Sequence, residues 1–212
     1  MRDKNPPLAI VFAWAFLKKS CFSLTLSHFT EMVKTAPVKF SLMTEEKRCK
    51  IVVFGAFGAG KTTLVKTLDP ESLHVEANCA GGTTTIALDF GLVQMNGNHI
   101  HIFGTPGQER FEFAREIIGK GMDGAILLID ATSPVDDFIH HLYDSLTSAG
   151  IPFVIFLNKC DTIGARPELI EKEFHAAIIR KVSANDRKQS LEALCSFTQT
   201  LSPHQNGHST SH

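Results

Sequence analysis

The stretch that most constrains the fold is a glycine-rich loop between an apolar run and a segment of helical character. The apolar run is Ile51–Phe54, and the loop reads Gly55-Ala56-Phe57-Gly58-Ala59-Gly60-Lys61-Thr62. The spacing G-x-x-x-x-G-K-[ST] between a strand and a helix is typical of a phosphate-binding loop. Glycines let successive backbone N–H groups turn toward an anion, and the helix N-terminus adds a positive dipole end.

Each position of this loop has an expected role toward a bound nucleotide. Lys61 would reach the β- and γ-phosphates, and the Thr62 hydroxyl would bind Mg²⁺. The residues expected to surround the phosphates are Gly55, Gly58, Ala59, Gly60, Lys61, Thr62 and Thr63.

The composition is that of an ordinary globular protein, with an uneven charge distribution along the chain. Of the 212 residues 43% are apolar and 20% are charged, which favours one α/β domain. The net charge of −1 does not indicate a nucleic-acid binder. Residues 1–42 carry six Lys or Arg against two Asp or Glu, whereas residues 43–212 carry fifteen against twenty. We therefore predict a leader at 1–42, a nucleotide-binding domain at 43–201 and a disordered tail at 202–212.

The leader contains a short apolar run, Leu8–Leu17. Ten residues are too few for a membrane-spanning helix, which needs about twenty. Three interpretations stay open: an uncleaved peripheral anchor, a disordered leader, or an upstream extension from a mis-assigned start, with Met43 beginning the protein. We favour the third, because the charge balance changes there. We do not favour the first, which would imply peripheral membrane contact through residues 8–17.

The cysteines and histidines do not indicate a disulfide framework or a zinc site. The five cysteines are scattered and contain no C-x-x-C pair. His204, His208 and His212 in the tail lack metal-ligand spacing. A reducing, cytoplasmic location fits best, since nucleoside triphosphates and Mg²⁺ are supplied inside cells.

Short apolar runs alternate with amphipathic stretches from Lys50 onward, which predicts a three-layer α/β domain. The sheet is expected to have six strands, mostly parallel, with one antiparallel edge hairpin turning at Asn96-Gly97. The predicted strands are Lys50–Phe54, Thr84–Gln94, His99–Phe103, Gly124–Asp130, Pro152–Leu157 and Ile178–Val182. The predicted helices are Lys61–Leu68, Glu109–Lys120, Val135–Ser148, Pro167–Ala177 and Ser190–Leu201.

Further motifs follow the later strands, where ligands bind in such sheets. The segment Phe103-Gly104-Thr105-Pro106-Gly107-Gln108-Glu109-Arg110-Phe111 resembles the D-x-x-G-Q-E-R-F segment of Ras-like small GTPases, except at its aspartate. Asn158-Lys159-Cys160-Asp161 resembles their N-K-x-D motif, and Ser183-Ala184 their S-A motif. The resemblance covers residues 49–201 and implies the small G-protein fold of the P-loop NTPases. It is nearest to the prokaryotic and archaeal branch related to the gliding-motility protein MglA, which carries T-P-G-Q.

This resemblance implies binding of GTP or GDP with Mg²⁺, and a role for each motif residue. Gly107 would sense the γ-phosphate and Gln108 would orient the attacking water, with Lys61 as the second catalytic residue. The Asp161 carboxylate would accept from two guanine N–H groups, which adenine lacks. Asn158 would brace the phosphate-binding loop and the base, and the Lys159 stem would lie along the purine. In the Ser183-Ala184 motif, the Ala184 backbone N–H would meet guanine O6. Thr85, in the run after Gly82, would close over Mg²⁺ together with Thr62.

Two departures from the family pattern bear on activity. Gly104 replaces the family aspartate that holds Mg²⁺ through water, and Phe57 fills the position where glycine admits an activator's arginine. We therefore predict a molecular switch, acting through loops Glu71–Thr85 and Gly104–Gly121, with slow intrinsic GTP hydrolysis on the order of 10⁻⁴ s⁻¹ or below. Acceleration would need an activator that avoids the usual arginine route and uses Arg110 or Arg115 of this chain. The implied partners are effectors and regulators, including roadblock-type proteins. Two alternatives stay open: a pseudo-GTPase that only binds nucleotide, and a phosphotransferase or ATPase.

Overall fold

The computed structural model describes residues 47–78 and 85–201, which form a seven-stranded sheet with helices on both faces. The strands are β1 Lys47–Phe54, β2 Leu73–Asn78, β3 Thr85–Met95, β4 Asn98–Gly104, β5 Gly124–Asp130, β6 Phe153–Asn158 and β7 Ile179–Lys181. The α-helices are α1 Lys61–Leu68, α2 Glu112–Gly119, α3 Asp137–Ser148, α4 Pro167–Glu173 and α5 Arg187–Thr200. A 3₁₀ turn, Glu109–Phe111, precedes α2.

The strand order is β2-β3-β4-β1-β5-β6-β7, and the sheet is parallel from β4 to β7. The strands β2 and β3 and the strands β3 and β4 pair antiparallel. The hairpin between β3 and β4 turns at Asn96 and Gly97, both with positive φ, as a two-residue turn requires. Because β1, β4, β5, β6 and β7 run in one direction, their carboxyl ends meet at one edge of the sheet.

Two apolar layers separate the sheet from its helices. On one face α1 and α5 pack against alternate strand residues such as Ile51, Val53 and Ile126. On the other face α2, α3 and α4 pack against the intervening residues, such as Val52 and Leu127. The central strands β1, β5 and β6 are therefore buried on both sides, which explains their continuous apolar sequence.

The predicted three-layer, mostly parallel fold is confirmed, but the predicted strand count of six is wrong by one. All six predicted strands are present, and β2 is added at the edge, in a stretch where the sequence predicts no strand. The predicted helix Glu109–Lys120 begins instead with a 3₁₀ turn, in which the Phe111 N–H donates to the Gln108 carbonyl. The Gln108 and Glu109 carbonyls also accept from the Arg115 guanidinium. The predicted helix Pro167–Ala177 ends earlier, at Glu173.

Some predictions concern parts of the chain outside the described residues. The leader at 1–42, the tail from Ser202 and the threonine run up to Thr84 lie there. Within residues 47–78 and 85–201, no helix combines the length and the hydropathy that crossing a bilayer would need.

Candidate functional site

The phosphate-binding loop lies where β1 ends and α1 begins, as the sequence predicts. Lys61, only 7% exposed, donates from Nζ to the carbonyl oxygens of Gly55 and Ala56, at 2.7 Å each. Burial lowers the pKa of Lys61 to about 8, with nearby Asp89 opposing the shift and Arg115 adding to it. A buried ammonium group inside a glycine loop is suited to an anionic ligand, which would offset this loss of solvation.

Asn158, at the carboxyl end of β6, ties the phosphate-binding loop to the last strand-end loop. Its Nδ2 donates to the Ala59 carbonyl and its Oδ1 accepts from the Ala184 N–H, both at 2.9 Å. Gly60 leaves room for this contact, because a Cβ there would lie 2.5 Å from Asn158 Nδ2. The predicted residues Gly60, Asn158 and Ala184 are thus brought into direct contact.

We expect Asn158→Ala to destabilise the domain even without nucleotide. The change leaves the Ala59 carbonyl and the Ala184 N–H without their buried partner, at about 1–3 kcal/mol each. Urea denaturation of the nucleotide-free protein should show a loss of about 2–5 kcal/mol. The matched control is Asn185→Ala, at an exposed position, which should stay near the wild-type value. Equal stability of the two variants would contradict the bracing role.

Lys159 links the same strand end to both neighbouring loops. Its Nζ lies 3.0 Å from the Gly58 carbonyl and 2.5 Å from the Asp130 carboxylate at the end of β5. Burial alone would raise the pKa of Asp130, but hydrogen bonds from Lys159 and Thr132 outweigh it and hold that pKa below its usual value. Asp130 therefore stays ionised and fixes the Lys159 side chain beside the phosphate-binding loop.

Asp161 and Ser183 lie in the loops that follow β6 and β7. The Asp161 side chain is exposed, in the turn in which the Thr162 N–H donates to the Lys159 carbonyl. The backbone of Ser183 is held by two side chains of α5. Its N–H donates to Gln189 Oε1, and its carbonyl accepts from Ser190 Oγ. An exposed carboxylate beside two fixed loops can accept hydrogen bonds from a flat ligand edge.

A buried carboxylate, Asp89 on β3, lies beside the phosphate-binding loop and was not among the predicted site residues. It is 4% exposed, and its Oδ2 accepts from Thr62 Oγ1 at 2.6 Å. Asp89 pairs directly with Gly104 on β4, and a Cβ on Gly104 would lie 3.0 Å from Asp89 Oδ2. The carboxylate that the family pattern places at position 104 is therefore supplied from the neighbouring strand.

The sequence contained a signal for this residue. The two-residue turn at Asn96 and Gly97 fixes the hairpin register, since Met95 pairs with Asn98. Counting back from the turn pairs Asp89 with Gly104. An aspartate directly opposite the missing aspartate could have been recognised in this way.

The oxygen atoms of Thr62 and Asp89 fit a hard cation such as Mg²⁺. Across residues 47–78 and 85–201, no cluster of three or more His, Cys, Asp or Glu side chains is placed to hold a metal ion. Mg²⁺ usually binds one or two carboxylates together with substrate phosphates and water, so a site with few protein oxygens suits it. Thr85 begins β3, but its side chain lies outside the described part of the chain. Thr63 lies half-buried in the first turn of α1.

The segment after β4 lies against the phosphate-binding loop. A Cβ on Gly107 would lie 2.6 Å from Lys61 Nζ and 2.7 Å from the Phe57 nitrogen, so only glycine permits this approach. Upstream, Thr105 donates from both its N–H and its hydroxyl to the Val53 carbonyl, which fixes the end of β4 to β1. Phe57 itself is 79% exposed.

Gln108 is held by two arginines of the same segment. Its Oε1 accepts from Arg110 Nε at 2.8 Å, and its carbonyl accepts from Arg115 Nη1 at 2.7 Å. Arg115 is 5% exposed and lies over the Phe138 ring, whereas Arg110 is exposed. Arg115 therefore organises the backbone of the segment in this structure.

The fold and these strand-end loops define a guanine-nucleotide-binding domain of the P-loop GTPase class. Residues 46–204 match the model of the elongation factor Tu GTP-binding domain, and the chain belongs to that family. It is 41% identical over 112 residues to an uncharacterized protein of Methanocaldococcus jannaschii, covering 53% of this chain and 70% of that protein.

Two longer proteins are also similar to this chain, one in sequence and one in fold. Translation initiation factor IF-2 of Mesoplasma florum is 29% identical over 171 residues, 81% of this chain and 27% of the factor. The translation elongation factor SelB of Methanococcus maripaludis, solved with a GTP analogue, superimposes with a TM-score of 0.59 at 20% identity, over 75% of this chain and 34% of SelB. The chain thus spans about a quarter to a third of the length of these two factors.

Proposed function

We propose that this protein binds GTP and GDP with Mg²⁺ and hydrolyses GTP slowly, as a nucleotide-dependent switch. The observation that carries the proposal is the Asn158 side chain, which joins the phosphate-binding loop to the loop at Ala184 and lies three residues before Asp161. The two loops joined by Asn158 would together hold the phosphates and the base. A binder of phosphate alone, or an ATPase, would have no use for Asp161 at this position.

In this proposal Asp161 selects guanine, and the loop from Gly55 to Thr63 binds the phosphates. Guanine presents N1–H and an exocyclic amino group to one carboxylate, each charged hydrogen bond contributing roughly 1.5–3 kcal/mol. Lys159 would border the purine with its apolar stem while its Nζ stays on Gly58 and Asp130. The Ala184 N–H would meet guanine O6 and would then be shared with Asn158 Oδ1, which accepts from it in this structure.

Mg²⁺ would be held by the Thr62 hydroxyl and the Asp89 carboxylate, with Thr85 as the third expected protein group. When bound, the ion supplies positive charge beside the phosphate oxygens. Lys61 and the loop amides would stabilise the charge that develops on the γ-phosphate, and Gln108 would orient the attacking water. For that step the Gln108 amide oxygen must face the water, so its bond to Arg110 would have to be shared or exchanged.

The switch would operate through the segment from Gly104 to Gly121. Gly107 lies close to Lys61, so an entering γ-phosphate would change the position of this backbone. Arg115 would carry that change into α2 through its bonds to the Gln108 and Glu109 carbonyls. The surface offered to effectors and regulators would thereby differ between the GTP and GDP states.

The sequence Gly104-Thr105-Pro106-Gly107-Gln108 favours the MglA-related branch of small GTPases, and we extend the proposal to roadblock-type regulators. A cytoplasmic location and a domain spanning residues 43–201 belong to the same proposal. A binding-only pseudo-GTPase is the second candidate, and Gly104 is the observation that favours it. Asp89 counts against this second candidate, because it restores a carboxylate beside Thr62.

Nucleotide binding and turnover of the purified full chain test this proposal. We expect labelled GTP to be displaced by GTP and GDP but not by a hundredfold excess of ATP, and binding to weaken when EDTA removes Mg²⁺. Single-turnover hydrolysis should proceed at about 10⁻⁴ s⁻¹ or below. Displacement by ATP would exclude guanine selectivity. Tight GTP binding with no release of phosphate over a day would favour the pseudo-GTPase.

A further inference from the structure

His74 on the edge strand β2 contacts the carboxylate that lies beside Thr62. His74 is directly opposite Asp89 in the antiparallel pair β2 and β3, and its Nδ1 lies 2.5 Å from Asp89 Oδ1. The Asp89 side chain is 6% exposed, whereas the His74 side chain is 31% exposed. The ring thus lies between solvent and a buried carboxylate.

The two oxygens of Asp89 have different partners. Oδ1 faces His74, and Oδ2 accepts from the Thr62 hydroxyl at 2.6 Å. An ionised carboxylate can only accept hydrogen bonds, so Nδ1 of His74 must carry the hydrogen. A donor fixed on Oδ1 restricts rotation of the carboxylate and keeps Oδ2 directed at Thr62.

We propose that His74 is a positioning residue for the Mg²⁺ site, and this inference rests on the proposed function. By donating to Asp89 Oδ1, His74 holds Oδ2 where it can serve the cation together with Thr62. Hydrogen-bonded pairs of carboxylate and imidazole are a recurrent support for metal ligands, and their loss typically lowers metal affinity 10–100-fold. His74 itself does not contact the metal or the nucleotide in this proposal.

The position of His74 in the sheet gives this contact a further consequence. His74 lies on β2, outside the phosphate-binding loop and the segment after β4. Among the described strands, β2 pairs only with β3. The support for the metal ligand therefore comes from the edge of the sheet. A change at this edge should alter the metal dependence while the base and phosphate contacts stay as they are.

The test is a titration of Mg²⁺ against binding of a fluorescent GDP analogue to the full chain. His74→Ala removes the donor, and His74→Asn keeps an N–H donor close to the Nδ1 position. We expect His74→Ala to raise the Mg²⁺ concentration at half-maximal effect by 10–100-fold. His74→Asn should remain within about threefold of the wild type. Affinity for the analogue in EDTA should be the same for all three proteins.

Controls separate this role from a purely structural one and from failure of the proposed function. His175→Ala, at an exposed position after α4, controls for loss of a surface histidine. If His74→Ala fails to fold, His74→Leu against His74→Asn gives the same comparison of donor and no donor. An unchanged Mg²⁺ midpoint in the variant lacking the donor, or an equal shift with asparagine, would overturn the inference. A wild-type protein whose GDP binding ignores Mg²⁺ would overturn the proposed function instead.

Discussion

Asp161→Asn is expected to lower the affinity for GTP by about two to four powers of ten. The substitution removes two charged hydrogen bonds from guanine to the carboxylate, each contributing roughly 1.5–3 kcal/mol. A loss of about 1.4 kcal/mol corresponds to a factor of ten in affinity. Xanthine carries an oxygen where guanine carries the exocyclic amino group, so the asparagine amide can donate to it. The same variant should therefore bind xanthosine triphosphate more tightly than the wild type does. Competition binding with both nucleotides measures the exchange of preference.

The control for this prediction is Asp144→Asn, which removes one exposed carboxylate from α3. It should leave both affinities within about twofold, because an exposed charge away from a ligand contributes little. The stability of Asp161→Asn should also match the wild type, since the Asp161 side chain is exposed. If Asp161→Asn still prefers GTP, Asp161 does not recognise guanine, and the proposed function loses its main support.

Asp89→Ala is expected to abolish most of the Mg²⁺ dependence of nucleotide binding. Asp89 is the carboxylate that contacts Thr62, and Mg²⁺ is commonly held by one or two carboxylates together with substrate phosphates. The loss of a direct ligand should exceed the 10–100-fold effect of losing its support, so we expect the Mg²⁺ midpoint to rise at least about 100-fold. Single-turnover hydrolysis should fall in parallel, whereas binding in EDTA should change little.

Exchange of the two paired residues gives a sharper form of this experiment. Gly104→Asp alone should destabilise the domain by about 1–3 kcal/mol, because a Cβ there meets Asp89 Oδ2 at 3.0 Å and a second carboxylate joins the first. Asp89→Gly alone should lose the metal. The double variant moves the carboxylate from β3 to β4 and should recover at least a tenth of the wild-type Mg²⁺ affinity. Additive defects in the double variant would show that position 104 cannot replace Asp89.

The strand-end residues could be predicted because their chemistry is local in the sequence. Gly55–Thr62 and Asn158–Asp161 each follow a strand that is recognisable from its apolar run. Gly107-Gln108 and Ser183-Ala184 follow strands of mixed polarity and are recognisable from their own motifs. The structure places these loops at one edge of the sheet, and Asn158 makes direct bonds between two of them. Their roles toward a ligand stay predictions, which the experiments above test.

The strand β2 and the contacts of Asp89 were missed because they depend on pairing between distant segments. The sequence Leu73–Asn78 does alternate apolar and polar residues, but it is short and follows Pro70, and its partner begins seven residues after it ends. Asp89 interrupts an apolar strand, and nothing in its immediate neighbours distinguishes a site residue from a surface charge. Only the register of β2, β3 and β4 brings it between His74, Gly104 and Thr62.

The sequence by itself determined the class of the fold and the loops that carry the site, because apolar runs, amphipathic stretches and glycine loops are encoded within a few residues. The turn at Asn96-Gly97 already places Asp89 opposite Gly104, but only the tertiary structure shows that Asp89 contacts Thr62 and that His74 contacts Asp89. The physical reason is that hydrogen bonds across a sheet join residues far apart in the chain. Their partners are fixed by strand register, which the short turn sets for β3 and β4 but which no local sequence signal sets for β2 and β3.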